Sequence, residues 1–105
     1  MHKDEVMKYL DSVTILDKFN LGSNDRSPVF YCIKSDGQAV LARALTINQV
    51  LRFLQSGISG GRKYTYERDT SITGLLAWIY KDGVNTIRII KCCDEYTKNL
   101  FKMMK

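Results

Sequence analysis

Two Asp-Gly pairs, at residues 36–37 and 82–83, constrain the fold of this chain more than any other feature of its sequence. Each pair lies between two apolar runs. This arrangement is the strongest short-range indication of a β-hairpin, because a type I′ turn needs two positive φ angles. Each predicted hairpin is followed by residues with helical periodicity. The sequence therefore predicts two hairpin–helix units, over residues 29–54 and 75–104.

The first turn also predicts how its strands pair. If residues 36–37 form a two-residue loop, Ile33 faces Val40. In the same register, Cys32 faces Leu41 on the other side of the hairpin. Both faces are then apolar, which predicts that helices or a partner protein cover this part of the sheet on both sides.

The second hairpin has more clearly separated faces. With residues 82–83 as its loop, Trp78 faces Ile87. Leu76 faces Ile89 in the same register. These apolar side chains share one face, whereas the opposite face carries polar residues. The second hairpin is therefore predicted to have one inner and one outer face.

The N-terminal segment allows two interpretations. Residues 2–19 begin with apolar side chains at the spacing of a helix, but residues 13–19 are rich in β-branched side chains. The segment forms either one long helix or a short helix followed by a strand. We favour the second alternative slightly.

Two more helices follow the two hairpins. Thr46 and Gln49 have the spacing of a capping box, and Gly57 is placed to end that helix at the C′ position. The last helix is predicted over residues 94–105. Its predicted inner side chains are Tyr96, Leu100, Met103 and Met104.

These elements predict the fold class. If residues 13–19 and 62–67 are strands, each half of the chain is three strands and a helix. The prediction is an α+β fold, with a leading N-terminal helix and an antiparallel sheet built from two hairpin–helix (βββα) units. A length of 105 residues suits a single domain over residues 1–105. The rhythm also raises the hypothesis of a pseudo-repeat of residues 13–56 and 62–105.

Charge and cysteine content indicate the setting of the protein. A net charge of +5 suits a nucleic acid, an anionic surface or an acidic protein, although it also serves solubility. The three cysteines are Cys32, Cys92 and Cys93, and the chain has no apolar segment of signal-peptide or membrane-span type. We therefore expect free thiols, a reducing intracellular (cytoplasmic) location and no membrane partner.

Catalytic and metal-binding patterns are weak. The single histidine, His2, lies near the start of the chain, and no Cys–His or Ser–His pair can be assembled from it. The adjacent Cys92 and Cys93 lack the spacing of a zinc site. The glycine-rich stretch 57–63 precedes a predicted strand, whereas a phosphate-binding P-loop opens a helix. We expect no enzyme activity, no cofactor and no metal.

The strongest functional hypothesis is nucleic-acid binding. Basic residues are interleaved with two tyrosines over residues 62–68, and cations neutralise phosphates while aromatic rings stack on bases. Lysines of the last helix extend the patch, with Arg43 and Arg88 on the sheet surfaces. The predicted nucleic-acid-binding residues are Arg62, Lys63, Tyr64, Tyr66, Arg68, Lys98 and Lys102.

The alternative hypothesis is protein binding. An apolar hairpin and exposed Tyr and Arg side chains are typical of interface centres. The protein would then be an inhibitor or adaptor, of the accessory type encoded by viruses or mobile elements. The first hairpin is the place where a second copy would dock, which predicts a homodimer.

Overall fold

The computed structural model of the protein describes residues 3–22, 30–58, 60–71, 75–92 and 95–104. These residues form a mixed α+β fold with one six-stranded sheet and three α-helices. The helices are α1 (Lys3–Asp11), α2 (Ile47–Phe53) and α3 (Glu95–Met103), and a π-helical turn, Leu54–Ile58, continues α2. The strands are β1 (Thr14–Asn20), β2 (Phe30–Ser35), β3 (Gln38–Arg43), β4 (Thr65–Arg68), β5 (Ala77–Lys81) and β6 (Thr86–Cys92). Outside the described residues lie His2, most of the loop 20–28, Val29, Cys93, Asp94 and Lys105, for which the sequence made predictions.

The strand order across the sheet is β1-β3-β2-β6-β5-β4. The strand pairs are antiparallel except that β1 runs parallel to β3. The two halves of the chain therefore pair their strands differently. β4, β5 and β6 form a simple antiparallel meander, whereas β1 pairs with β3, the second strand of the first hairpin, and runs parallel to it. A common origin of the two halves stays a prediction.

The first hairpin has the predicted register. Ile33 pairs with Val40, and Cys32 pairs with Leu41 across β2 and β3. The turn residues Asp36 and Gly37 have φ of +52° and +76°, as a type I′ turn requires. The local turn chemistry thus sets the pairing of two strands that lie inside the sheet.

The second hairpin is shifted by two residues from the predicted register. Trp78 pairs with Ile89 instead of Ile87, and the loop contains the four residues 82–85. The cause is the Asp82 carboxylate, whose Oδ1 accepts hydrogen bonds from the backbone N–H groups of residues 84 and 85 at 2.9 and 2.8 Å. A shift of two keeps every side chain on its predicted face. Leu76, however, lies before β5 and is 43 % exposed.

Helices cover both faces of the sheet. On one side, here called the α1/α3 face, Val6 and Phe101 pack against Cys32 and Leu41. On the other, called the α2 face, the buried side chains of α2 pack against Tyr31 and its neighbours. Each face of the first hairpin is therefore covered within one chain, and β2 and β3 each have a neighbouring strand on both sides. Docking of a second copy through the first hairpin stays a prediction.

The N-terminal segment is a helix followed by a strand, which confirms the favoured alternative. The parallel pairing of β1 is interrupted at Leu16, where the register between β1 and β3 shifts by one residue. Such a bulge leaves one residue unpaired and bends the strand. Leu16 is 57 % exposed as a result.

The predicted ends of α2 are corrected in part. Gln49 Oε1 accepts a hydrogen bond from the backbone N–H of Leu45 at 2.6 Å, so its side chain does reach back. Among the described atoms, the Thr46 side chain makes no capping hydrogen bond. Gly57 does not end the helix but lies within the π-helical turn, and the Gly61 N–H then donates to the Gln55 carbonyl at 2.7 Å.

One predicted inner residue of α3 is wrong. Met103 is 79 % exposed, whereas Thr97 and Phe101 are buried. Residues four apart share a helix face, so the burial of 97 and 101 turns residue 103 outward. Tyr96, Leu100 and Met104 pack against the α1/α3 core as expected.

Candidate nucleic-acid interface

The basic, tyrosine-bearing stretch forms the edge strand β4 and the residues just before it. Alternate residues of a strand point to the same side, which places Tyr64, Tyr66 and Arg68 on the α2 face. The Tyr64 ring stacks on Tyr80 of β5, with centroids 4.7 Å apart and 26° between the ring planes. The Arg68 guanidinium lies 5.7 Å from the centroid of the Trp78 ring. The stretch is therefore anchored on the aromatic side chains of β5.

Tyr66 is the outermost aromatic group of this surface. It pairs with Tyr80 across β4 and β5, but its side chain lies at the sheet edge and it is 45 % exposed. Tyr80 beneath it is buried. One tyrosine of the pair thus belongs to the core, and the other is available for an external contact.

The basic side chains are held differently. Arg62 Nη2 forms a salt bridge of 3.1 Å with Asp82 Oδ2, which fastens this stretch to the β5–β6 loop. Lys63 is exposed and lines an open cavity of about 430 Å³ together with Lys81 of β5. Lys81 was not predicted as a site residue, because only the pairing of β4 with β5 brings it next to residues 63–65.

The structure does not bring the two helical lysines to this surface. Lys98 and Lys102 belong to α3, whose Phe101 carbonyl accepts a hydrogen bond from Lys18 Nζ of β1 at 3.0 Å. β1 and β4 are opposite edges of the sheet. The site therefore contains the five predicted residues between 62 and 68, and Lys98 and Lys102 lie on the other side of the molecule.

Neither arginine expected on the sheet surface is a free surface cation. Arg43 is only 8 % exposed, and its guanidinium lies 5.2 Å from the ring centroid of Phe30 and 5.0 Å from that of Phe101. Arg88 is half-exposed but forms a salt bridge of 3.0 Å with Asp69. The surface role expected for Arg43 is wrong, because burial between two rings makes it part of the core.

Asp69 is a buried carboxylate that joins the end of β4 to β6. It accepts hydrogen bonds from the Ser71 hydroxyl at 2.6 Å and the Ser71 N–H at 3.0 Å, besides its contact with Arg88. These two hydrogen bonds from Ser71, more than the charge of Arg88, hold the pKa of Asp69 below its usual range.

Asp69 should make the folded state sensitive to acid. Its pKa is lower when folded, so its contribution to stability is fully present above the unfolded pKa of about 4 and is lost as the pH falls through the folded pKa. We expect the free energy of unfolding of the wild type to fall more steeply below about pH 4 than that of Asp69→Asn. Urea denaturation from about pH 2 to pH 7 measures this.

A graded control tests the assigned cause. Ser71→Ala removes the hydroxyl donor but keeps the carboxylate, so its pH dependence should lie between those of the wild type and Asp69→Asn. Superimposable profiles of all three proteins would contradict the role of Asp69.

The cysteines that the structure describes are buried. Cys32 and Cys92 both belong to the core of the α1/α3 face. Burial raises the pKa of the Cys32 thiol, which keeps it protonated and poorly nucleophilic. Both side chains act as small apolar groups of the core.

Two further observations concern the described part of the chain. It places no group of three or more His, Cys, Asp or Glu side chains where they could hold a metal ion. None of its helices combines the length and apolar character needed to cross a membrane.

Comparison with protein-family models, with curated proteins and with solved structures found no match.

Proposed function

We propose that this protein is a non-enzymatic binding protein, and that its ligand is single-stranded nucleic acid bound along β4 on the α2 face. The observation that carries the proposal is the alternation of Tyr64, Tyr66 and Arg68 on one side of an exposed edge strand. Sequence-tolerant binding of single strands combines aromatic rings that stack on bases with cations that follow the phosphates. Both kinds of group occur along β4.

The ring of Tyr66 would stack on a nucleic-acid base. Its ring is 45 % exposed, whereas Tyr64 is engaged with Tyr80. A base that stacks on an aromatic side chain of a β-strand must be unpaired from its complementary nucleic-acid strand. Single-stranded nucleic acid is therefore favoured over a duplex. Arg68, oriented by Trp78, would present its guanidinium beside the stacked base.

Phosphates would be neutralised by the cations around the same strand. Lys63 and Lys81 line one cavity, and Arg62 is 46 % exposed although it is paired with Asp82. Glu67 points to the opposite side of β4 from Tyr66, since successive strand residues alternate. The α2 side of β4 therefore carries Tyr66 and Arg68 without an acidic residue of β4 itself, whereas Lys81, the direct partner of Thr65, lies on the opposite side at the same edge.

Binding of a labelled oligonucleotide of about 12 nucleotides tests the proposal. We expect affinity to fall steeply between about 50 and 400 mM salt, and single strands to bind more tightly than duplexes. Tyr66→Ala should weaken binding by about 10-fold or more with little change in the salt dependence, because it removes a stack and no charge. Lys63→Ala should weaken binding and reduce the salt slope.

Two controls separate this site from general attraction to a basic protein. Lys8→Ala removes an exposed charge from α1 and should leave affinity unchanged. Lys98→Ala with Lys102→Ala decides whether the ligand reaches α3, and we expect a small effect because these residues lie across the molecule from β4. Absence of binding at low salt, or equal affinities of wild type and Tyr66→Ala, would refute the proposal.

Protein binding is the second candidate, and an apolar groove favours it. Leu16, Val40 and Ile87 line a cavity of about 160 Å³ at the turn end of the sheet, and Leu16 is 57 % exposed. An inhibitor or adaptor of the viral or mobile-element type would use such a surface. A nuclease-resistant, stoichiometric partner that is lost with Leu16→Asp would favour this function, provided that the variant still binds oligonucleotides as the wild type does.

A further inference from the structure

Two cations face each other inside the sheet, on the side away from β4's aromatic surface. Lys34 of β2 and Arg88 of β6 are direct partners in the antiparallel pairing. Both lie on the α1/α3 face, because Cys32 and Ile90, two residues away along each strand, belong to the core of that face. Like charges directly opposite each other destabilise a sheet, so this pair calls for an explanation.

Neighbouring groups hold the two cations without removing them from solvent. The Lys34 ammonium lies 4.8 Å from the centroid of the Tyr9 ring, a cation–π contact that does not occupy all three of its N–H donors. Arg88 donates a hydrogen bond from Nη1 to Asp69 Oδ2, and its side chain is 47 % exposed. A guanidinium has five N–H donors, so Arg88 keeps donors for a second acceptor.

A cavity opens at this pair. It has a volume of about 340 Å³ and is lined by Tyr9, Lys34, Thr86 and Arg88 together with the turn residues 35–37. This volume lies at the small end of the range of ligand pockets. Thr86 is on the same face as Arg88, which adds a hydroxyl to the two cations. An ammonium, a guanidinium and a hydroxyl around one cavity are donors suited to a tetrahedral oxyanion.

We propose that this cavity binds a phosphate monoester, with Lys34 and Arg88 as its cationic ligands. The cavity lies on the α1/α3 face, so this site is separate from the β4 surface and does not depend on the nucleic-acid proposal. Phosphate monoesters occur on free nucleotides and on the 5′ ends of nucleic acids. The chemistry recognised is the same in both, since each presents a terminal phosphate with nearly two negative charges at neutral pH.

One residue of the cavity opposes the ligand, so its substitution should have the opposite effect from that of Lys34. Asp36 lines the cavity and carries a negative charge that repels a phosphate. Asn can replace it without strain, because Asn tolerates the positive φ of +52° at this turn position. Removal of Asp36's charge should therefore tighten binding, whereas removal of Lys34's charge should weaken it.

Adenosine 5′-monophosphate titrated at constant ionic strength, followed by backbone amide shifts, is the test. We expect saturable shifts near residues 34–37 and 86–88 in the wild type. Lys34→Met keeps an apolar side chain over Tyr9, so we expect its spectrum to remain that of a folded protein. It should weaken binding by about 10-fold. Asp36→Asn should tighten it a few-fold. Arg52→Gln, which removes an exposed charge from α2, is the matched control and should bind as the wild type does.

A second arm separates the two sources of the phosphate. An oligonucleotide with a 5′ phosphate is compared with the same oligonucleotide carrying a 5′ hydroxyl. A preference for the phosphorylated end that disappears in Lys34→Met assigns the site to nucleic-acid ends, whereas nucleotide binding without such a preference assigns it to free nucleotides. Shifts that do not saturate, or equal losses in Lys34→Met and Arg52→Gln, would overturn the proposal.

Discussion

Ile89→Ala should lower the free energy of unfolding by about 2–5 kcal/mol. Ile89 is completely buried in β6, in the middle of the sheet, and belongs to the core of the α2 face. Its truncation removes apolar contacts and leaves a cavity between the sheet and α2. Because β6 pairs with both β2 and β5, the surrounding backbone is held on both sides and has little freedom to close that cavity.

Chemical denaturation with urea, followed by circular dichroism, measures this loss. The matched control is Val84→Ala in the loop that precedes β6. Val84 is 75 % exposed, so its truncation should change stability by less than about 0.5 kcal/mol. Similar losses in the two variants would mean that β6 is not a central strand of the core.

Gly37→Val should destabilise the protein by about 1–3 kcal/mol. Gly37 has a φ of +76°, a conformation that a β-branched side chain adopts poorly, and it sits in the type I′ turn that sets the register of β2 and β3. Gly83→Val should also destabilise, because Gly83 has a φ of +89°. In both places a Cβ atom would meet open space, so the cost comes from the backbone conformation and not from a clash.

Gly57→Ala is the control for these glycine variants. Gly57 also has open space around its Cβ position, but it lies in the π-helical turn without a positive φ. An alanine there should be neutral or stabilise by up to about 1 kcal/mol. If all three variants had the same thermal midpoint, the turn assignments would be wrong.

The two turns explain why one register was predictable and the other was not. At residues 36–37 both residues adopt positive φ, and the two-residue loop that the pattern predicts is formed. At residues 82–83 only the glycine does so, because the Asp82 carboxylate takes hydrogen bonds from two later N–H groups and widens the loop. An Asp side chain can take either role, and the dipeptide alone does not rank them.

Of the candidate interface, only the part that depends on neighbouring residues in the sequence was predictable. The basic and aromatic residues of the stretch 62–68 predicted both a strand and a nucleic-acid-binding segment. The aromatic support under it, Trp78 and Tyr80, arises from the pairing of β4 with β5. Charge alone had added Lys98 and Lys102, whose distance from β4 follows from the position of α3 near the opposite edge.

The sequence itself determined the positions of the two turns, the strands and the helices. Each of these depends on φ preferences and side-chain spacing within a few residues. The tertiary structure alone decided that β1 lies parallel to β3, that Arg43 is enclosed by two rings, and that Lys34 faces Arg88. These contacts join residues far apart in the chain. They are selected by the arrangement that buries the apolar faces of all strands and helices together, and no local pattern carries that information.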